Sequence, residues 1–285
     1  MFDRSVRPFL LPGLLAPGLL LILLNNPAGG QEFSIQDVLS APMPSSLVSS
    51  PAGEAVAWVR NQEGVRNLYV ATAPAYEGRQ VTAYTEDDGL EMGSLQFTPD
   101  GEFIVFSRGG GPNRQGEFAN PRSLVEPVFA AAYMVPVAGG DPREIPSRGG
   151  LVLSPDGETA VYASEGAVFR VRLDGEGEAE RLFSVRGGAG SLTFSPDGSA
   201  MAFISRRGDH SLVGIWKEGH ESVRWISPGL WSDQAPVWSP DGTRVAFLRT
   251  MNIPELWPFV PVRETVPFSI RVADIGSGTS REVFR

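Results

Sequence analysis

The chain has no cysteine, one lysine (Lys217), two histidines (His210 and His220) and no Gly-x-Ser-x-Gly pentapeptide. Each absence removes a class of chemistry. Without cysteine there are no disulfides, thiol nucleophiles or Cys-ligated zinc. Without the glycine-flanked serine there is no strand-to-helix elbow of the kind an α/β-hydrolase uses to present its nucleophile. Basic charge is also scarce: 24 Lys plus Arg stand against 33 Asp plus Glu, for a net charge of -9. The arginines are spread singly, with no basic block, so a phosphate backbone or an anionic lipid surface is excluded as a partner. No Gly-rich loop follows a strand and opens a helix, so nucleotide binding has no support and no cofactor is expected.

What the chain does have is 33 glycines and 24 prolines in 285 residues. In helix interiors these cost roughly 1 and 3 kcal/mol each, which excludes a helix bundle or coiled coil. Disorder is excluded too, because 42% of residues are hydrophobic and 9% aromatic, enough for a large core. An all-β protein of short strands and tight turns satisfies both facts.

The N-terminus reads as a targeting segment. Arg4 and Arg7 precede an apolar run from Phe9 to Leu24, and the sequence Asn25-Asn26-Pro27-Ala28-Gly29-Gly30 follows. A basic start, a short apolar centre and a small-residue exit describe a secretory signal peptide over residues 1–30. The run is shorter than the ~20 residues a span needs and is broken by Pro12 and Pro17, so no membrane anchor is expected after cleavage. Export to the periplasm or the extracellular space is the expectation. Residues 31–45 read as a lead-in, with a helix or strap between Gln31 and Ser40.

The remainder repeats. Ser50-Pro51-Ala52-Gly53, Thr98-Pro99-Asp100-Gly101, Ser154-Pro155-Asp156-Gly157, Ser195-Pro196-Asp197-Gly198 and Ser239-Pro240-Asp241-Gly242 place their prolines 48, 56, 41 and 44 residues apart. Pro presets φ, Asp bonds its own backbone two residues on and Gly supplies positive φ, so each copy is a hairpin turn. A period in the forties fits a propeller blade of four strands. An alternating strand follows every turn, as in Ala200-Met201-Ala202-Phe203-Ile204, and a polar, edge-like fourth strand closes each unit. The predicted fold is an all-β propeller of about five four-stranded blades over 46–285, incomplete or open. The blades fall at approximately 46–86, 90–147, 149–185, 189–228 and 233–285.

The Ser-Pro-Asp-Gly blade resembles the repeat shared by TolB-like propellers and by the propeller domains of prolyl oligopeptidase family serine peptidases. The stretches Thr85–Gly89, Arg108–Glu117, Ser205–Ser211 and Gln234–Gly242 resemble exported bacterial members of dipeptidyl-peptidase or acylaminoacyl-peptidase type. The resemblance implies a non-catalytic propeller that gates peptide substrate and docks on the protein's own hydrolase domain, here truncated before that domain. The alternative it leaves open is a TolB-like periplasmic propeller acting as a protein-interaction scaffold. No catalytic, cofactor or metal residue is assigned. His210 and His220 read as loop residues, and the alternating carboxylates of Asp174-Gly175-Glu176-Gly177-Glu178 lack the distal glutamate of a calcium loop.

The candidate functional residues lie on one predicted face. In a four-stranded blade, the loops after the second and fourth strands emerge together, opposite the Ser-Pro-Asp-Gly hairpins. The two longest insertions, about 109–129 and 250–266, and the acidic cluster Glu86, Asp87, Asp88 and Glu91 all fall there. With Arg114, Glu117, Asp233 and Trp257 they form the candidate substrate- or domain-facing set, since long loops on a rigid scaffold commonly carry binding.

Overall fold

In the computed structural model, residues 34–111, 113, 117–125, 128–148, 150–252 and 267–285 are described. The N-terminal segment expected to direct export, together with Arg114 and Trp257, lies outside them. Contacts divide the chain into two units, 1–39 and 40–285. In the first, the short helix α1 (Ile35–Leu39) is capped by Ser34. The Ser34 hydroxyl accepts from the Asp37 amide at 3.1 Å, while Asp37 accepts from the Ser34 amide at 2.9 Å, a reciprocal box that satisfies two helix-end donors. No helix among the described residues is long and apolar enough to cross a membrane.

The second unit is five antiparallel blades. Blade one comprises β1 (Met43–Ser49), β2 (Ala55–Gln62), β3 (Val65–Thr72) and β4 (Arg79–Gln80). Blade two comprises β5 (Met92–Phe97), β6 (Phe103–Arg108), β7 (Ala131–Pro136) and β8 (Arg143–Ile145). Blade three is β9 (Val152–Leu153), β10 (Thr159–Ser164), β11 (Ala167–Arg172) and β12 (Glu180–Ser184). Blade four is β13 (Gly190–Phe194), β14 (Ala200–Arg206), β15 (Ser211–Lys217) and β16 (Arg224–Ile226). Blade five is β17 (Ser232–Trp238), β18 (Arg244–Thr250), β19 (Phe268–Asp274) and β20 (Ser280–Phe284). Blade one therefore opens at Met43, ahead of the boundary expected at residue 46, because Met43, Pro44 and Ser45 pair with Asn61, Arg60 and Val59. A single parallel bridge, Ser211 to Ser232, joins blades four and five into one continuous sheet.

The repeated turn works as its residues dictate. In four of the five copies an aspartate accepts both from the turn's first hydroxyl (2.6 Å for Ser195 to Asp197) and from the amide two residues on. The glycines sit at φ between 68° and 74°, a region open to residues without a Cβ. The hydroxyl bonds lower the pKa of Asp197 and Asp241 to about 2. Ala52 replaces the aspartate in blade one, and there Ser50 still accepts from the Ala55 amide at 3.0 Å.

Packing between blades follows one rule, visible in the second strands. The stretches 55–60, 103–108, 159–164, 200–205 and 244–249 align, and their fourth positions are Trp58, Phe106, Tyr162, Phe203 and Phe247. Positions two and four face the preceding blade: Ile104 and Phe106 meet Ala57 and Val59, and Val245 and Phe247 meet Ala202 and Ile204. Position three is small (Ala57, Val105, Val161, Ala202, Ala246) and, in blades one to four, faces the blade that follows. Large side chains thus enter the space left by small ones, which fills the interface without overpacking. Phe106, Phe203 and Phe247 are almost wholly buried, each a contribution of about 3 kcal/mol or more to stability.

The first strands line the centre. Side chains including Val48, Leu95, Phe97, Val152, Thr193 and Phe194 border an open cavity of about 690 Å³. Four of these strands carry a bulge, with Ser46, Ser94, Ser191 and Ala235 in the left-handed region at φ 48–56°. Such bulges bend a strand and increase its twist. Buried clusters join blades one to two, two to three, three to four and four to five; none among the described residues joins five to one.

Candidate functional site

The ends of the second strands and the approaches to the first strands meet on one face, and two ion pairs mark it. Arg108 closes β6 and binds Asp88, with both side chains mostly buried. Arg249 near the end of β18 binds Asp233 through two bonds, Nε to Oδ1 at 2.7 Å and Nη2 to Oδ2 at 2.9 Å. The device is the same: an acid just before a first strand (Asp88) or at its start (Asp233) is caught by the sixth residue of the aligned second-strand stretch. Asp233 is 1% exposed, and its backbone carbonyl accepts from the Ser211 hydroxyl. Arg249 also donates to the Ser227 carbonyl at 2.7 Å. In blade four that sixth position is Ser205, which donates to the Arg186 carbonyl, the counterpart of Ser227. The Asp233 carboxylate holds β17 to β18 within blade five, the Asp88 carboxylate holds the chain entering blade two to β6, and neither is presented to solvent. The bonds that cross from blade four to blade five are those of Arg249 to the Ser227 carbonyl and of Ser211 to the Asp233 carbonyl.

The remaining acids divide. Asp87 is exposed, 3.6 Å from the Arg66 guanidinium, and lies against Gly64 in the β2–β3 hairpin. Glu86 and Glu91 are exposed, with no side-chain partner among the described residues. Pro121, from the long β6–β7 connection, packs on Gly89, so this loop folds over the acidic segment. Glu117 closes a turn with Asn113, its amide donating to Asn113 Oδ1 at 2.9 Å. Glu86, Asp87, Asp88 and Glu91 and Pro121 of the long connection are therefore brought together at blades one and two. Asp233 stands at blades four and five. The guanidinium of Arg108 lies 3.7 Å from the centre of the Tyr84 ring, and burial raises the Tyr84 pKa.

Two further hollows open on this face. The first, about 540 Å³, lies between blades four and five and is lined by Ser191, Arg206, Asp209, His210, Gln234 and Asn252 among others. His210 Nδ1 is 2.6 Å from Asp209 Oδ1, and that bond lowers the Asp209 pKa. The second, about 450 Å³, is more apolar: Phe118 and Phe129 meet edge to face at 4.9 Å beside Arg148 and Glu165, themselves paired at 3.1 Å. Neither hollow was legible from the sequence. The long loop was, but not that its aromatics turn back onto blade three.

Asp174 of the 174–178 turn and two large aromatics also have scaffold partners. Asp174 binds Arg172 and caps the Glu176 amide at 2.9 Å, and the Arg172 bond lowers its pKa. Trp216 is buried against Phe183, and Trp225 lies between the Phe203 edge and Arg207. No group of three or more His, Asp or Glu side chains that could hold a metal ion occurs among the described residues.

No protein-family model matches the chain, and no curated protein matches it. Solved structures do. A TolB-type protein from Agrobacterium tumefaciens is similar over 85% of this chain and 81% of its own, at 22% identity and a TM-score of 0.55. An oligogalacturonate lyase in complex with manganese matches over 83% of this chain and 64% of its own, at 14% identity and TM-score 0.59. A puromycin-hydrolyzing peptidase from Mycobacterium tuberculosis matches over 87% of this chain but only 39% of its own, at 16% identity and TM-score 0.57. These likenesses establish a TolB-like β-propeller fold, and three different labels on one scaffold illustrate why fold does not carry function.

Proposed function

We propose that the chain acts by binding, as the non-catalytic propeller portion of an exported serine peptidase of the prolyl oligopeptidase family. In that role the loop-bearing face would meet the hydrolase domain and screen peptide substrates. The observation that supports this is where the insertions fall. The second-to-third-strand connections of blades one and three are two-residue turns, Glu63-Gly64 and Glu165-Gly166, while those of blades two and five run over residues 109–130 and 251–267. Both long connections leave from second-strand ends on a single face, the one of blade two near exposed Glu86 and Glu91, and the opposite face is kept to short hairpins. The match to only 39% of the mycobacterial peptidase is in keeping with a portion of such an enzyme.

The second reading is a TolB-like exported scaffold for other proteins, favoured by the balanced coverage of the Agrobacterium protein. Extracts of the source cells, treated with a fluorophosphonate probe and precipitated with antibody to this chain, separate the two. A labelled serine hydrolase, fused or bound to the chain, is the expected result. Precipitation of the chain with an envelope lipoprotein and no labelled species would favour the scaffold. Labelling of the isolated 285-residue chain itself would overturn both.

A further inference from the structure

The packing rule leaves two faces unmatched within the second unit, and they are complementary. Among the described residues of the second unit, no blade covers the side of β2 that carries positions two, four and six. Val56, Trp58 and Arg60 are only partly buried there, Trp58 stacks on Tyr69 at 5.8 Å, and the Arg60 guanidinium lies 5.2 Å from the Tyr69 ring centre. Arg60 Nε is buried with no hydrogen-bond partner. At the other end, no blade among the described residues covers the far side of blade five. Its open side places small Ala246 at position three, next to Leu248, with Val272 and Ile270 opposite them on β19. Val237, Phe268, Ile270 and Phe284 are exposed there, at 60%, 42%, 38% and 55%.

At all four internal interfaces, a side bearing a fourth-position aromatic covers a side bearing a small third-position residue. The open side of blade one is of the covering type, and that of blade five is of the covered type. We infer that a second copy of this chain docks head to tail, with the Trp58 side of one copy on the Ala246, Leu248 and Ile270 side of the next, in the place of a neighbouring blade. The two surfaces differ, so the contact is heterologous and leaves one open surface at each end for further copies. An apolar sheet face of this kind is otherwise unusual on a monomer. The contact would form whatever partner the loop face meets.

Sedimentation of the purified mature chain over a range of concentrations tests this. The expected result is a mass that rises with concentration to twice that of one chain and beyond. Trp58→Glu and Ile270→Glu should each give monomers. Mixed in equal amounts, they should give a species of twice the monomer mass that grows no further, since the first keeps its blade-five face and the second its blade-one face. That recovery also shows both variants to be folded. A monomeric wild type at every concentration would overturn the inference. So would association that survives either substitution, or a mixture that stays monomeric while both variants keep wild-type circular dichroism.

Discussion

Removing the Asp233 carboxylate tests whether this acid holds the first two strands of blade five together or serves the surface. In Asp233→Ala the Arg249 guanidinium, 9% exposed as a side chain, loses two charged bonds and stays out of water. Breaking a buried pair from one side costs about 3–5 kcal/mol. Arg249 keeps the Ser227 carbonyl and lies 5.3 Å from the Phe247 ring, which places the expected loss toward the lower end. For a domain of this size, about 3 kcal/mol corresponds to roughly 6–12 °C in Tm. Urea unfolding followed by tryptophan fluorescence reads the first quantity, and a thermal melt the second. Replacing both partners, Asp233→Leu with Arg249→Met, removes the stranded charge and should restore most of the loss, to within about 1 kcal/mol of wild type. A single substitution costing under about 1 kcal/mol, or a double variant as unstable as the sum of the singles, would refute the assignment.

Three other outcomes follow from the geometry. Asp197 and Asp241 are held at about 2 against 3.8 by the Ser195 and Ser239 hydroxyls, so their contribution to stability is complete above about pH 4. It is lost as pH falls through about 2, and Asp197→Asn with Asp241→Asn should flatten the urea midpoint across that window. Gly214→Ala on β15 would place a Cβ 2.3 Å from Cζ of fully buried Phe203, an overpacking expected to cost about 1–3 kcal/mol in the same urea assay. Glu86→Gln and Glu91→Gln should change the stability read by urea unfolding by less than about 0.5 kcal/mol, since neither carboxylate has a side-chain partner among the described residues.

The blades were legible because their determinants are local. A hydroxyl, a proline, an aspartate and a glycine within four residues specify a turn, and the alternating strand that follows announces which side is buried. The strand ends from which the two long connections leave could also be deduced from strand order. The ion pairs could not, because their partners are distant: Asp88 finds Arg108 twenty residues on, and Asp233 finds Arg249 sixteen residues on. Asp88 reads in sequence as one of four acids in an exposed cluster, yet it is bound while Glu86 and Glu91 are free. The usable signal was arginine recurring at the sixth second-strand position, as Arg60, Arg108 and Arg249, which becomes visible only when the repeats are aligned. The aromatic at position four was equally present, but its meaning depends on which side of a blade meets its predecessor.

Because every buried cluster among the described residues joins blades adjacent in sequence, the second unit behaves as a row of nearest-neighbour couplings rather than one cooperative block. Among the described residues, blades two to four are clamped on both sides, and blades one and five on one side only. Opening should therefore begin at the ends and travel inward, with amide hydrogens exchanging fastest in β1–β4 and β17–β20 and slowest in the third blade. The surfaces left free to meet a partner are thus also the ones that can loosen to accommodate it.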